Sequence, residues 1–331
     1  MKAARVLLLA GLVVLVAGCG SGRHISSSNG RPMTQPAWSP NGLRIAWDEH
    51  TKVLSESVIW VSSADGTNPH PVTQPIDALG QLTWLTNREL LFWANFRVFR
   101  LWLGSKPTLV SSVNGTSFSV DGHGTRIASG SSDCPTCVSP IQVIPLVPGA
   151  ERVDIGPADV QNSSPSLAPD GRSVVFGRNL CSRASGECLV SNGVWTAATT
   201  SGATPRRIVR NGVCPAWSPR GNEIFYAWDT GYVVPAAGGV ARALPVGASC
   251  AVWSPNGQML ATIGADSRLS VVDAHTARAR ALPAAGAVNS FAWSPDSSTL
   301  LVAASRSSTE CTALWTVAVA TRKATEIRAC R

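Results

Sequence analysis

The sequence predicts an all-β protein that folds as a seven-bladed β-propeller of four-stranded antiparallel blades. Three observations support this prediction: a short motif occurs seven times, successive copies lie 36 to 50 residues apart, and an apolar run rich in β-formers follows most copies. A period of this size leaves room for four short strands and their turns in each repeat, which is typical of propellers. Propellers with six or eight blades remain alternatives.

The repeated motif is Trp-Ser-Pro followed by turn residues, and its Trp is taken as position zero. Ser suits the first position of a turn, Pro fixes φ at the second, and Gly accepts the positive φ after which a hairpin resumes. Pro cannot donate to a strand ladder, so the motif marks the end of the first strand of each blade. Position zero is occupied by Trp38, Trp84, Val120, Leu167, Trp217, Trp253 and Trp293.

The twelve Trp residues fit the same frame. Five occupy position zero, and the others fall at the end of the second strand (Trp47, Trp93, Trp228) or within the third strand (Trp60, Trp102, Trp195, Trp315). We therefore expect every Trp to pack between blades. A carbohydrate-binding platform of aromatic rings is the alternative.

Three of the copies, "WSPNGLRIAW", "APDGRSVVF" and "WSPNGQMLAT", resemble the WD40-like repeat of the TolB-type β-propeller family. The resemblance covers nearly the whole chain after its leader and implies the propeller fold, but it says little about function. The Gly-His partner of eukaryotic WD40 repeats is missing. The first motif begins at Pro36, which leaves no room for the amino-terminal α/β domain of TolB, so a role in the Tol system is not implied.

Residues 1–18 are predicted to be a signal peptide. Lys2 and Arg5 precede an apolar core that is too short to span a bilayer as a stable helix. The core ends in Val-Ala-Gly-Cys, which resembles the lipobox of bacterial lipoproteins and implies that Cys19 carries the lipid. An ordinary signal peptide with an incidental cysteine is the alternative.

The resemblance to lipoproteins predicts a location in the bacterial cell envelope, outside the cytoplasm and anchored to a membrane by lipid. Residues 19–33 are small and polar and are expected to form a flexible tether. Residues 34–331 are expected to form the propeller. The formal net charge is +8 and the positive residues are scattered, which argues against nucleic acid as a partner.

Eight cysteines follow Cys19, an even number that predicts disulfide bonds in an exported protein. The repeat places all eight at one end of the propeller, where the connections between second and third strands and the starts of first strands lie. The expected pairs are Cys134–Cys137, Cys181–Cys188, Cys214–Cys250 and Cys311–Cys330. A redox role for the Cys-Pro-Thr-Cys segment and a zinc site built from the first four of these cysteines are alternatives.

The same end carries the longest connections, so we expect binding there. The candidate binding residues are Asp48, Glu49, His50, Glu56, Arg183 and Glu187. The first four could also gather a cation. No catalytic residue, resident metal or cofactor is predicted.

The predicted function is a non-catalytic, lipid-anchored module that binds or scaffolds a protein partner in the cell envelope. The chain has no HExxH pair, no Gly-x-Ser-x-Gly elbow and no calcium loop, and its first strands are apolar or small. The alternatives are an envelope enzyme, either a lyase or a glycan hydrolase, and a small-ligand sensor, both using the central channel.

Overall fold

Seven four-stranded antiparallel sheets, one for each copy of the motif, form a β-propeller, as predicted. The structure is a computed structural model that describes residues 33–329 except 54, 114, 116, 132–137, 148, 182–187, 189, 248, 285 and 306–311. In this part of the chain no helix is long and apolar enough to cross a membrane.

The strands of blades 1 to 3 are β1 (Met33–Trp38), β2 (Arg44–His50), β3 (Glu56–Ser63), β4 (His70–Pro71), β5 (Ile76–Asp77), β6 (Leu79–Thr86), β7 (Glu89–Ala94), β8 (Arg97–Trp102), β9 (Thr108–Ser112), β10 (Phe118–Val120), β11 (Arg126–Ser129), β12 (Ile141–Pro145) and β13 (Val153–Ile155). Those of blades 4 and 5 are β14 (Gln161–Leu167), β15 (Ser173–Leu180), β16 (Val190–Ala198), β17 (Arg206–Val209), β18 (Val213–Trp217), β19 (Glu223–Ala227), β20 (Gly231–Pro235) and β21 (Arg242–Leu244). Those of blades 6 and 7 are β22 (Ala251–Trp253), β23 (Met259–Ile263), β24 (Leu269–Asp273), β25 (Ala279–Ala281), β26 (Ala287–Trp293), β27 (Thr299–Ser305), β28 (Thr312–Ala318) and β29 (Ala324–Arg328).

Each blade runs a-b-c-d in chain order, and contacts between neighbouring strands a arrange the blades around a central channel. Blade 1 has the short strand β4 as its strand d, and β5 pairs separately with β3. The first blade begins at Met33, which the sequence analysis assigned to the tether. Blade 7 supplies all four of its own strands, and β1 packs against it to close the ring.

The motif Ser has a structural role beyond the turn itself. Its hydroxyl accepts a hydrogen bond from the backbone N–H five residues later, for example from Arg44 to Ser39 at 2.9 Å and from Met259 to Ser254 at 2.9 Å. In blade 3 the Oδ1 of Asp121 does the same for Arg126 at 3.1 Å. A side chain therefore satisfies the first backbone donor of strand b, which explains why Ser or Asp follows position zero in five of the blades.

The motif Trp connects consecutive blades. The indole N–H of Trp293 donates to the carbonyl of Val252 at 3.1 Å, and Trp253 donates to Ala216 at the same distance. Trp84 donates to Ala37 at 3.3 Å. In each case the acceptor directly precedes position zero of the preceding blade. In blades 2, 6 and 7 the motif thus repeats one inter-blade hydrogen bond.

Two tryptophans do not meet the expectation that all twelve pack between blades. Trp102, at the end of strand c in blade 2, is 50% exposed, and Trp228, just after strand b of blade 5, is 44% exposed. Both lie at strand ends, where an adjacent blade no longer covers the side chain.

Two of the expected disulfide bonds are present, and both fit an oxidising compartment outside the cytoplasm. Cys181 bonds to Cys188 within the connection that follows strand b of blade 4. Cys214 bonds to Cys250 across blades 5 and 6, with 5.4 Å between their Cα atoms. Cys214 has a φ of 51° inside a bulge of β18, and bulges redirect side chains. The other two expected pairs, Cys134–Cys137 and Cys311–Cys330, lie outside the described residues.

Candidate functional site

The propeller has two ends, which we name by their connections. The b–c rim carries the connections between strands b and c together with the starts of strands a. The a–b rim carries the motif turns together with the c–d turns. Two cavities lie along the channel walls, and both include residues at the ends of strands a.

The larger cavity, about 590 Å³, opens among the motif turns of blades 3, 4 and 5, and we name it the a–b-rim cavity. Its wall contains an aromatic side chain, Trp217, and two titratable side chains, His123 and Asp170. The rest of the wall is formed by Val120, Gly122, Ser166, Leu167, Pro169, Ser218 and Pro219. Hydroxyl, imidazole and carboxylate groups beside an aromatic ring are suited to binding and transforming a small polar ligand.

His123 and Asp170 occupy equivalent places in the repeat. Each lies three residues after position zero, and Arg220 takes the same place in blade 5. Three successive turns thus carry an imidazole, a carboxylate and a guanidinium at the a–b rim. His123 and Asp170 line the cavity, whereas the side chain of Arg220 lies beside Gly257 of blade 6. The remaining blades carry Asn or Asp at this place (Asn41, Asn87, Asn256, Asp296).

The turns of blades 3 and 4 are joined by hydrogen bonds. The N–H of Gly122 donates to the carbonyl of Pro169 at 3.0 Å, which joins the residues next to His123 and Asp170. Arg126 reaches across the same junction and donates to the carbonyl of Gly171 at 3.1 Å. A Cβ on Gly122 would lie 2.8 Å from the carbonyl oxygen of Pro169, so this close approach requires glycine. The backbone segments that carry the exposed side chains of His123 and Asp170 are therefore held together.

The wall residue Trp217 differs from the motif tryptophans that link blades. Its indole nitrogen is buried and has no hydrogen-bond partner, whereas its backbone N–H donates to the hydroxyl of Ser166 at 3.0 Å. The a–b-rim cavity lies where the inter-blade indole bond is missing.

The smaller cavity, about 370 Å³, lies among blades 1, 2, 6 and 7, and we name it the channel cavity. Its polar side chains are neutral: Gln35, Gln81, Thr83 and Ser290. The hydroxyl of Ser290 is buried without a partner, and so is the indole nitrogen of Trp38 in the same wall. None of the described residues in this wall is ionisable. It is suited to holding a neutral ligand and has no acid–base group of its own.

The predicted binding loop of blade 1 is shorter than the sequence suggested. Asp48, Glu49 and His50 belong to β2, and Glu56 begins β3. Asp48 and Glu49 are only 1% and 6% exposed, so they are not loop residues available to a partner. The strand continues beyond Trp47 because both carboxylates find partners inside the protein. The other two candidates, Arg183 and Glu187, lie outside the described residues.

Asp48 lies between polar groups of its own blade. The hydroxyl of Thr34 donates to its Oδ1 at 2.6 Å, and the Nε2 of His50 lies 3.9 Å from its Oδ2. Burial raises the pKa of the Asp48 carboxyl, although hydrogen bonds from Thr34 and Ser57 and the charge of His50 act in the opposite direction.

The cation alternative at these four residues is not supported. Asp48 and Glu49 are consecutive in a strand, so their side chains point to opposite faces of the sheet. Among the described residues no group of three or more His, Cys, Asp or Glu side chains could hold a metal ion. The zinc and redox alternatives involve Cys134 and Cys137, which are outside the described part of the chain.

No family model matches the sequence, and no curated protein matches it. Several solved structures have the same fold. An oligogalacturonate lyase from Vibrio parahaemolyticus is 11% identical with a TM-score of 0.68, and the alignment covers 89% of this chain and 92% of the lyase. A puromycin hydrolase is 14% identical with a TM-score of 0.67, and the alignment covers 96% of this chain. The chain spans only 57% of the length of that hydrolase.

TolB from Acinetobacter baumannii is also similar, with 13% identity, a TM-score of 0.52 and coverage of 90% of this chain and 79% of TolB. The fold is therefore a TolB-like propeller that is shared by enzymes and by TolB. The disulfide bonds are compatible with a location in the periplasm or envelope.

The prediction of a non-catalytic binding or scaffolding module is wrong in view of these neighbours. The two with the higher TM-scores above are a lyase and a hydrolase. The prediction rested on the lack of titratable residues in strands a. The structure shows such groups in the motif turns at the a–b rim instead, at His123 and Asp170.

Proposed function

We propose that the protein is an enzyme of the bacterial cell envelope that cleaves a short acidic saccharide bound in the a–b-rim cavity. One observation carries this proposal: the cavity wall combines Trp217 with His123 and Asp170. An apolar ring face suits the C–H face of a sugar, and an imidazole can both take and return a proton. Lipid attachment at Cys19 is part of the proposal.

The chemistry assigned to His123 is a proton transfer. In a lyase reaction the imidazole removes the proton from the carbon that bears the substrate carboxylate, a carbon–carbon double bond forms, the bond from the neighbouring carbon to the linking oxygen breaks, and that oxygen receives the proton. Alternatively, in a hydrolysis the imidazole deprotonates a water that attacks the anomeric carbon on the other side of the linking oxygen, the bond between that carbon and the oxygen breaks, and the proton is returned to the leaving oxygen. Arg220 directly follows wall residue Pro219. Its side chain lies beside Gly257 of blade 6, and it would turn toward the cavity to pair with the substrate carboxylate. The name of the oligogalacturonate lyase supports an acidic saccharide as the substrate class.

Incubation of the purified protein with oligogalacturonates, followed by mass spectrometry of the products, tests the proposal. His123→Ala should reduce turnover at least 100-fold because it removes the acid–base group. His275→Ala is the matched control, since His275 is exposed in the c–d turn of blade 6, away from the cavity wall. Absence of turnover by the parent protein, or equal turnover by the parent and the His123→Ala variant, would contradict it.

A small-ligand sensor is the second candidate function. It is favoured by the channel cavity, whose described wall residues are neutral and include a buried hydroxyl without a partner at Ser290. Such a site binds without chemistry. Calorimetry with neutral and acidic oligosaccharides separates the two candidates: binding that is weakened by Gln35→Ala, without product formation, would support the sensor.

A further inference from the structure

The exposed cationic side chains are gathered on the a–b rim. Among the described residues sixteen Lys and Arg side chains are exposed, and twelve of them lie in the a–b and c–d connections or in the first two residues of strands b and d. These twelve are Arg44, Arg88, Lys106, Arg152, Arg172, Arg206, Arg207, Arg220, Arg278, Arg280, Arg322 and Lys323. Every blade contributes at least one. The positive residues are scattered along the sequence, but the ring of blades brings most of them to one end.

Acidic side chains do not balance this charge. Five exposed carboxylates lie on the a–b rim, which leaves an excess of seven positive charges among its exposed groups. The b–c rim carries four exposed cations and four exposed carboxylates within the described residues, and these cancel. All charged residues of the a–b rim are described, because Pro148 is the one residue of its connections outside the described part. The two rims therefore differ in charge.

The cations of the a–b rim are largely unneutralised within the protein. Arg152 is the one member of the twelve that forms an ion pair with a described residue, and its Nε lies 2.8 Å from the Oδ1 of Asp154. Three of the other carboxylates on this rim, Asp65, Asp170 and Asp296, each accept a hydrogen bond from the backbone N–H two residues later in the same turn. The remaining guanidinium and ammonium groups are thus available to an external anion.

Blade 4 connects the cationic rim with the a–b-rim cavity. The turn that places Asp170 in the cavity wall also carries Arg172, and Arg206 and Arg207 begin the outermost strand of the same blade. The Nη2 of Arg206 lies 3.4 Å from the carbonyl oxygen of Ala237 in the c–d turn of blade 5. Cations therefore continue outward from the cavity to the edge of the propeller and across to the next blade.

We propose that the a–b rim binds an acidic polysaccharide, so that the saccharide in the cavity is one part of a longer carboxylated chain. The inference rests on the proposed function for the class of ligand, an acidic saccharide. Arg binds carboxylates through paired hydrogen bonds, and a polymer with a carboxylate on every sugar engages cations of several blades at once. The disulfide bonds fit a compartment outside the cytoplasm, which favours a polysaccharide over nucleic acid as the polyanion.

The test measures binding of the full-length protein to immobilised polygalacturonate, in the His123→Ala background so that the polymer is not cleaved. Two double variants each remove two cations from the a–b rim. Arg172→Gln/Arg206→Gln acts beside the cavity, and Arg322→Gln/Lys323→Gln acts on blade 7, across the ring from blade 4. All four side chains are exposed and none forms an ion pair with a described residue, so both variants should fold.

Lys52→Gln/Arg97→Gln is the matched control, because it removes the same charge from the b–c rim. Each a–b-rim variant should weaken binding about fivefold at low salt, as expected for two exposed ion pairs, and the control should leave it unchanged. Added salt should weaken binding of the unsubstituted rim as well. Equal weakening in all three variants would show an effect of net charge alone and would overturn the proposal. Binding to neutral pullulan, or to polyphosphate, that is as tight as binding to polygalacturonate would also overturn it.

A galacturonate trisaccharide separates this inference from the proposed function. It can occupy the cavity without reaching blade 7, so Arg322→Gln/Lys323→Gln should leave its affinity unchanged while weakening that of the polymer. Equal weakening for both ligands would contradict the inference. If the parent protein shows no turnover but the polymer binds in the expected rim-dependent way, the proposed chemistry fails and the rim inference stands. If oligogalacturonates are cleaved but polymer binding is indifferent to the rim charges, the rim inference alone fails.

Discussion

Arg328 and Glu49 form a buried ion pair that joins the last strand of blade 7 to the first blade. The Nη2 of Arg328 lies 3.1 Å from the Oε2 of Glu49, and the two side chains are 6% and 7% exposed. The guanidinium also lies 5.1 and 5.0 Å from the ring centres of Trp47 and Trp60, within the range of cation–π attraction. Two residues 279 positions apart therefore help to close the ring.

Arg328→Leu should destabilise the protein by about 3–5 kcal/mol, because it leaves the Glu49 carboxylate buried without its partner. The double variant Glu49→Leu/Arg328→Leu should be more stable than the single one, since no isolated charge remains. Urea unfolding of the three proteins measures the difference. Arg268→Leu is the control, because its pair with Asp266 is at the surface. A double variant no more stable than the single one would disprove the importance of the buried charge.

The indole hydrogen bonds between blades can be tested by comparing two tryptophans of the motif. Trp293→Phe removes the donor to the carbonyl of Val252 and should cost about 1 kcal/mol more than Trp38→Phe. The indole nitrogen of Trp38 has no partner, so its loss removes ring packing only. Chemical denaturation of both variants provides the comparison, and equal losses would argue against the hydrogen bond as the reason for the motif.

Asp48 gives the stability a distinct pH dependence. Because burial raises its pKa in the folded protein, the ionised carboxylate opposes folding, and its neutral form is favoured at low pH. Asp48→Asn should therefore be more stable than the parent at pH 7, and this gain should disappear as the pH falls below about 4, the pKa of an unfolded aspartate. Unfolding midpoints measured from pH 3 to 8 test this, and a gain that does not vary with pH would contradict it.

Asp273 is a control for this pH dependence, because its pKa is shifted in the opposite direction. The backbone N–H groups of Thr276 and His275 donate to its carboxylate and lower its pKa. Its stabilising effect is present above the unfolded pKa and is lost as the pH falls through the lower, folded value. Asp273→Asn should thus be less stable than the parent at pH 7 and equal to it at the acid end of the same series.

The two described disulfide bonds should differ in their contributions to stability. Cys214–Cys250 closes a loop with a sequence separation of 36, and Cys181–Cys188 closes one of 7. In the chain-entropy account these closures are worth about 4 and about 2.5 kcal/mol. Cys214→Ala/Cys250→Ala should therefore be the less stable of the two double variants in urea unfolding. The reverse order would show that the link between blades 5 and 6 does not constrain the unfolded chain as described.

The sequence was sufficient to predict the blades because each motif encodes a local turn. Even the degenerate copies at Val120 and Leu167 end a strand a as expected. Burial of Asp48 and Glu49 could not be foreseen, since Glu49 depends on Arg328 at the other end of the chain. The expectation that every Trp is packed failed at Trp102 and Trp228, because a repeat does not show how far a neighbouring blade extends over a strand end.

The candidate site was missed for a different reason. Catalytic groups were expected only on strands a, whereas His123 and Asp170 lie in turns to which the repeat assigns a structural role. A signal was present in the sequence: three residues after position zero, blades 3 to 5 carry His, Asp and Arg, and the other blades carry Asn or Asp. These three turns meet at one cavity only because the seven blades close into a ring. The sequence of a single repeat does not show that closure.

A crystal structure of the His123→Ala variant soaked with a galacturonate trisaccharide tests the central claim most directly. The account predicts a sugar ring against Trp217 in the a–b-rim cavity, with Arg220 turned from Gly257 toward the sugar carboxylate. A sugar bound in the channel cavity or on the b–c rim, with the a–b-rim cavity left empty, would contradict the proposed site.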